Sequence, residues 1–66
     1  MTYDVYISDF SSGKFYMVRN LFAVSRIEAE KFAVDHVIKE IKQPDSYRNF
    51  LHVGQVIHVI DCYAVR

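Results

Sequence analysis

The chain has 66 residues, 52% of them hydrophobic and 24% charged, and its eight basic and eight acidic side chains cancel. That composition excludes a disordered segment, and the scattered, balanced charge argues against a broad nucleic-acid surface and against an acidic mimic of nucleic acid. A lone cysteine, Cys62, rules out a disulfide within the chain and a cysteine-rich metal site.

A chain of this length forms one domain, residues 1–66, and buries only about 60% of its unfolded surface. Small secreted domains usually need disulfide staples, so a cytoplasmic setting is expected. Met1-Thr2-Tyr3-Asp4 has no basic region leading into an apolar run, so no leader peptide is expected. No apolar stretch approaches the ~18 residues of a membrane span, and no membrane association is expected.

Residues 2–8 alternate, with Tyr3, Val5 and Ile7 on one side and Asp4, Tyr6 and Ser8 on the other, the pattern of a half-buried strand. Asp9-Phe10-Ser11-Ser12-Gly13 is a turn, with Gly13 available for positive φ. Residues 14–24 form a second extended run, and the natural pairing is an antiparallel hairpin. Arg19 and Asn20 would spoil both faces of an ideal strand. A bulge there shifts the parity, so that Phe15 and Met17 share a face with Phe22 and Val24.

Ser25 begins a helix. Its hydroxyl is placed to cap the amide of Glu28, and Glu28 to reach back to the Ser25 amide. Ile27, Ala33, Val34, Val37, Ile38 and Ile41 fall within one arc at about 100° per residue. Phe32 lies toward the polar side, with His36 one turn later and Ala29 beside it. Lys31 with Asp35 and Asp35 with Lys39 have the spacing of surface ion pairs. Pro44 stops the helix near Lys42 or Gln43.

Residues 44–54 hold turn formers together with Tyr47, Phe50, Leu51 and Val53. The mixture predicts a short helical turn over 46–51, pinned by Phe50 or Leu51. Residues 55–65 form the last strand. It is apolar on both parities apart from His58 and Asp61, which predicts a central strand or one covered on both sides. The fold class is α+β: a small three-stranded β-sheet with one α-helix packed on one face, in β-β-α-β order.

The chemistry-bearing residues do not assemble into a catalytic motif. His36, His52 and His58 lack the spacing of a helical zinc pair. Cys62 and His58 share a strand face but lie about 13 Å apart at ~3.3 Å per residue, beyond reach of a nucleophile and its base. Cys62 reads as a small core residue and Asp61 as a carboxylate with no partner nearby in sequence. Ser11-Ser12-Gly13-Lys14 joins two strands and precedes no helix, so it is no phosphate loop. No enzyme activity, cofactor or metal is expected. Phe15, Tyr16 and Tyr63, with Lys14, Arg19 and Arg48, are the only material for a base-stacking platform. With zero net charge, nucleic acid is not the expected partner.

The informative feature is surplus apolar residues. One helix covers one sheet face, and the other face should then be polar at alternate positions. In the last strand either Ile57, Val59, Tyr63 and Val65 or Val56, Ile60, Cys62 and Ala64 must lie on that other side. Such a patch predicts a homodimer or partner interface, with Tyr16, Val59, Tyr63 and Val65 as its residues, unless residues 44–54 and Phe10 fold over it. Phe32 and His36 form a second, smaller candidate patch on the helix.

The junction Phe22-Ala23-Val24-Ser25-Arg26-Ile27-Glu28-Ala29-Glu30 resembles a helix entry common in small phage and plasmid proteins. The resemblance, with a bare domain read from Met1, implies a phage or mobile-element source. The expected function is a non-catalytic protein-binding module that inhibits or modulates a host complex, for example a CRISPR-Cas defence system, in the host cytoplasm. The alternative is a small nucleic-acid-binding or regulatory homodimer.

Overall fold

The computed structural model describes residues 1–60. Strand β1 spans Thr2–Asp9 and strand β2 spans Phe15–Phe22. Helix α1 spans Arg26–Glu40, a 3-10 turn spans Asp45–Phe50, and strand β3 spans Leu51–Val59. The sheet is antiparallel throughout, in the order β2-β1-β3, and α1 crosses one face against all three strands. This is the α+β arrangement that the order of elements predicts.

β1 is the central strand, because the β1–β2 hairpin occupies one of its edges and β3 returns to the other. Its alternation buries Tyr3, Val5, Ile7 and Asp9 on the helix side. The hairpin turn is closed by two bonds. The Gly13 amide donates to the Asp9 carbonyl at 2.8 Å and the Asp9 amide to the Lys14 carbonyl at 2.9 Å, with Gly13 at φ 76°. The expected bulge in β2 is present. Val5 faces Val18 but Tyr3 faces Leu21, Asn20 takes φ 55°, and its amide donates to Asp4 Oδ1 at 2.9 Å. The parity shift puts Tyr16, Val18, Leu21 and Ala23 toward the core and leaves Phe15, Met17, Phe22 and Val24 exposed.

The last strand differs from its sequence reading in where it starts and in its place in the sheet, and the expected part beyond residue 60 lies outside the described residues. It starts at Leu51 rather than Gln55, and it is an edge strand, not a central one. A second bulge interrupts the strand near its start. Ile7 faces Val53 and Tyr6 faces Gln55, so Gly54 is the extra residue. Leu51 and Val53 turn to the core before the bulge, and Val56 does so after it. Past the bulge Val56 faces the core while Ile57 and Val59 lie on the opposite face, so the strand stays apolar on both sides.

Helix α1 begins as expected, with the Glu28 amide donating to Ser25 Oγ at 3.2 Å. The Glu28 carboxylate reaches one residue further back than expected and accepts from the Val24 amide at 3.0 Å. The buried line is Ala29, Ala33, Val37 and Ile38, while Ile27 is 80% exposed. The rest of the expected arc holds, with Ala33, Val37 and Ile38 buried and Val34 and Ile41 packed against the core, and Ala29 takes the place expected for Ile27. Asp35 pairs with Arg48 at 2.7 Å rather than with Lys31 or Lys39. The helix ends a turn ahead of Pro44, with Lys42 at φ 55°.

Candidate interaction face

The helix covers one side of the sheet. On the other side the register sets side chains of the three strands in four rows, because residues of one parity share a face. Phe15, Ser8 and His52 form the first row, and Met17, Tyr6 and Gln55 the second. Asp4 and Ile57 form the third, where the bulge in β2 interrupts the register, and Phe22, Thr2 and Val59 the fourth. Phe15 is 81% exposed and Phe22 72%, and Met17, Tyr6 and Ile57 are also exposed. Between the first two rows lies a shallow hollow of about 290 Å³, lined by Tyr6, Ile7, Ser8, Phe15, Tyr16, Gly54 and Gln55. Gly54 contributes no side chain to fill it.

Residues 44–54 do not fold over this face. Leu51 and Val53 pack into the core, and Tyr47 is held at the helix end of β1 by a bond from its Oη to Asp9 Oδ2 at 2.8 Å. Phe10 stays at the rim, where its ring stacks on His52 with centroids 5.7 Å apart and planes 16° from parallel. Arg48 bridges the 3-10 turn to the helix through Asp35 and Asp45, and its hydrogen bonds hold the Asp45 carboxyl below the usual carboxylate range.

The residues expected at an interface are dispersed. Val59 lies on the open face opposite Thr2, half-buried. Tyr16 does not lie there. It is paired with Ile7 and packs half-buried against the core on the helix side, because the parity that exposes Phe15 and Met17 turns Tyr16 inward. Phe32 and His36 are exposed one turn apart on α1. Tyr63 and Val65 lie outside the described residues, as do Asp61 and Cys62. The main contributors, Phe15, Met17 and Phe22, were not singled out as site residues. Their common side follows from the bulge at Arg19 and Asn20, so the signal was present.

The geometry also bears on other chemistries. Phe15 and Tyr16 point to opposite faces, and Arg48 is engaged by two carboxylates, while Tyr63, the third aromatic of the alternative stacking platform, lies outside the described residues. The three histidines stand apart: His36 on α1, His52 against Phe10, and His58 with its ring centroid 5.3 Å from that of Tyr3. Among the described residues no group of three or more His, Cys, Asp or Glu side chains is placed to hold a metal ion. No helix there is long and apolar enough to cross a membrane. Comparisons with protein-family models, curated proteins and solved structures find no significant match to this chain.

Proposed function

We propose that this chain is a non-catalytic protein-binding module that engages another protein chain through the open face of its sheet. The observation that carries the reading is the set of large apolar side chains exposed on this one face among the described residues, Phe15, Met17 and Phe22 with Tyr6 and Ile57. Monomers rarely leave contiguous apolar patches beyond a few hundred Å² in water, and covering such area yields about 25 cal/mol per Å². Both sheet edges carry bulges, at Asn20 in β2 and Gly54 in β3. Bulges disfavour strand addition, so contact through the face is favoured over contact through an edge.

A module that acts by occupying a surface needs no nucleophile, base or metal. That requirement suits an inhibitor or modulator of a host complex, such as a phage- or mobile-element-encoded protein directed at a defence system. Its place of action on this reading is the host cytoplasm. The alternative of a nucleic-acid-binding dimer is less well supported, with Phe15 and Tyr16 on opposite faces and Arg48 neutralised.

The test is affinity capture from the native cell with three baits: wild type, Phe15→Asp with Phe22→Asp, and Phe32→Ala. Association should be present with wild type and Phe32→Ala and lost with the double variant. Retention by the double variant with loss on Phe32→Ala would move the binding surface to the helix.

A further inference from the structure

We infer that the open face takes a second copy of this chain, packed sheet to sheet about a two-fold axis that lies across the strands. The inference rests on the open face being an interaction surface and names its occupant. Its first support is self-complementarity. The face carries a protruding ring at one end, Phe22, and a hollow at the other, beside Phe15 and Tyr6 and left unfilled at Gly54. A two-fold axis across the strands reverses the order of the rows and keeps β2 over β2. It therefore sets Phe22 of each copy over the Phe15 end of the other, at the mouth of the hollow. Offset aromatic contact of this kind is favourable beyond the area it covers.

Charge selects the same axis. Asp4 sits in the middle of the face, third of four rows. An axis along the strands would leave the rows in place and bury Asp4 against Asp4, a juxtaposition of like charges that costs several kcal/mol. The axis across the strands places Asp4 over the Tyr6 phenol, a hydrogen-bond donor. The chain as a whole has zero formal charge, so two copies meet without net repulsion.

Area sets the strength. Three strands at ~4.8 Å spacing and eight residues at ~3.3 Å give a footprint of roughly 400 Å². That is half of the ~800 Å² per partner of a standard interface, so the dimer belongs to the weak, reversible class.

Sedimentation equilibrium of the purified full chain tests this. Wild type should be a reversible dimer with Kd in the range of about 1–100 µM. Phe22→Ala should weaken it by about tenfold or more, as loss of an aromatic anchor seated in a partner's hollow does. Ser8→Phe, which fills the hollow from its floor, should weaken it as well, with circular dichroism and thermal melting checking that both variants are folded. A wild type that stays monomeric at several times that concentration would overturn the inference, as would a folded Phe22→Ala that dimerises as tightly as wild type. A monomeric wild type that captures a different protein through Phe22 would overturn the second copy as occupant and leave the interaction face standing.

Discussion

The Tyr47 hydroxyl donates to Asp9 Oδ2 at 2.8 Å, joining the 3-10 turn before β3 to the end of β1 across 38 residues of sequence. The other carboxylate oxygen accepts from the amides of Ser11 at 2.9 Å and Ser12 at 3.2 Å, so one buried side chain orders both the hairpin turn and the approach to β3. Burial by itself pushes the Asp9 carboxyl up. The bonds from Tyr47, Ser12 and Ser11 together outweigh it and hold the group below its ordinary range, and the same contact raises the Tyr47 phenol.

A carboxyl depressed in the folded state stabilises the protein above its unfolded value near ~3.9, and that contribution is lost as pH falls through the folded value. Tyr47→Phe removes one of the depressing bonds. The variant should melt below wild type at neutral pH, and the gap should narrow as the pH falls below about 4. A gap that is constant from neutral to acid pH would show that the Tyr47 hydroxyl does not act through the Asp9 charge.

Lys42 offers a stabilising substitution. Its amide donates to the Lys39 carbonyl and the Gln43 amide to the Ile38 carbonyl, both at 3.2 Å, the paired bonds of a Schellman ending. Lys42 holds the left-handed position of that motif at φ 55°, where a Cβ is strained and glycine is not. Lys42→Gly should stabilise the fold by about 1 kcal/mol, a rise of several degrees in melting temperature for a domain of this size. An unchanged or lower melting temperature would show that the strain is relieved elsewhere.

The orientation of α1 is testable at two positions. Ala33 is fully buried under the helix, whereas Ile27 is almost fully exposed. Ala33→Leu should overpack the helix–sheet contact and cost about 1–3 kcal/mol. Ile27→Ala should stay within about 0.5 kcal/mol of wild type, as surface substitutions do. Chemical denaturation of both variants measures the difference, and the reverse order would show that Ile27, not Ala33, faces the sheet.

Local chemistry was legible in the sequence. The Ser25 cap, the turn at Gly13 and the bulge at Arg19-Asn20 each depend on residues a few positions apart, and each is found where local rules put it. What depended on distant partners was not legible. Asp9 looked like one turn residue among several, because the phenol that buries it arrives 38 residues later. The start of the last strand at Leu51 was not legible, because nothing local marks Gly54 as a bulge within a strand until β1 is laid beside it. Tyr16 was expected on the open face, yet pairing with Ile7 turns it inward. The surplus of apolar residues was legible as a quantity, and its location needed the register.

The most direct measurement of the central claim is a dilution series of amide NMR spectra on the isotope-labelled full chain, from about 1 mM to about 10 µM, concentrations that bracket weak association. The account predicts concentration-dependent shifts at Phe15, Met17, Phe22, Tyr6 and Ile57, with Phe32, His36 and the rest of the outer helix face unchanged. Shifts confined to the helix, or spectra that do not change with concentration, would contradict it.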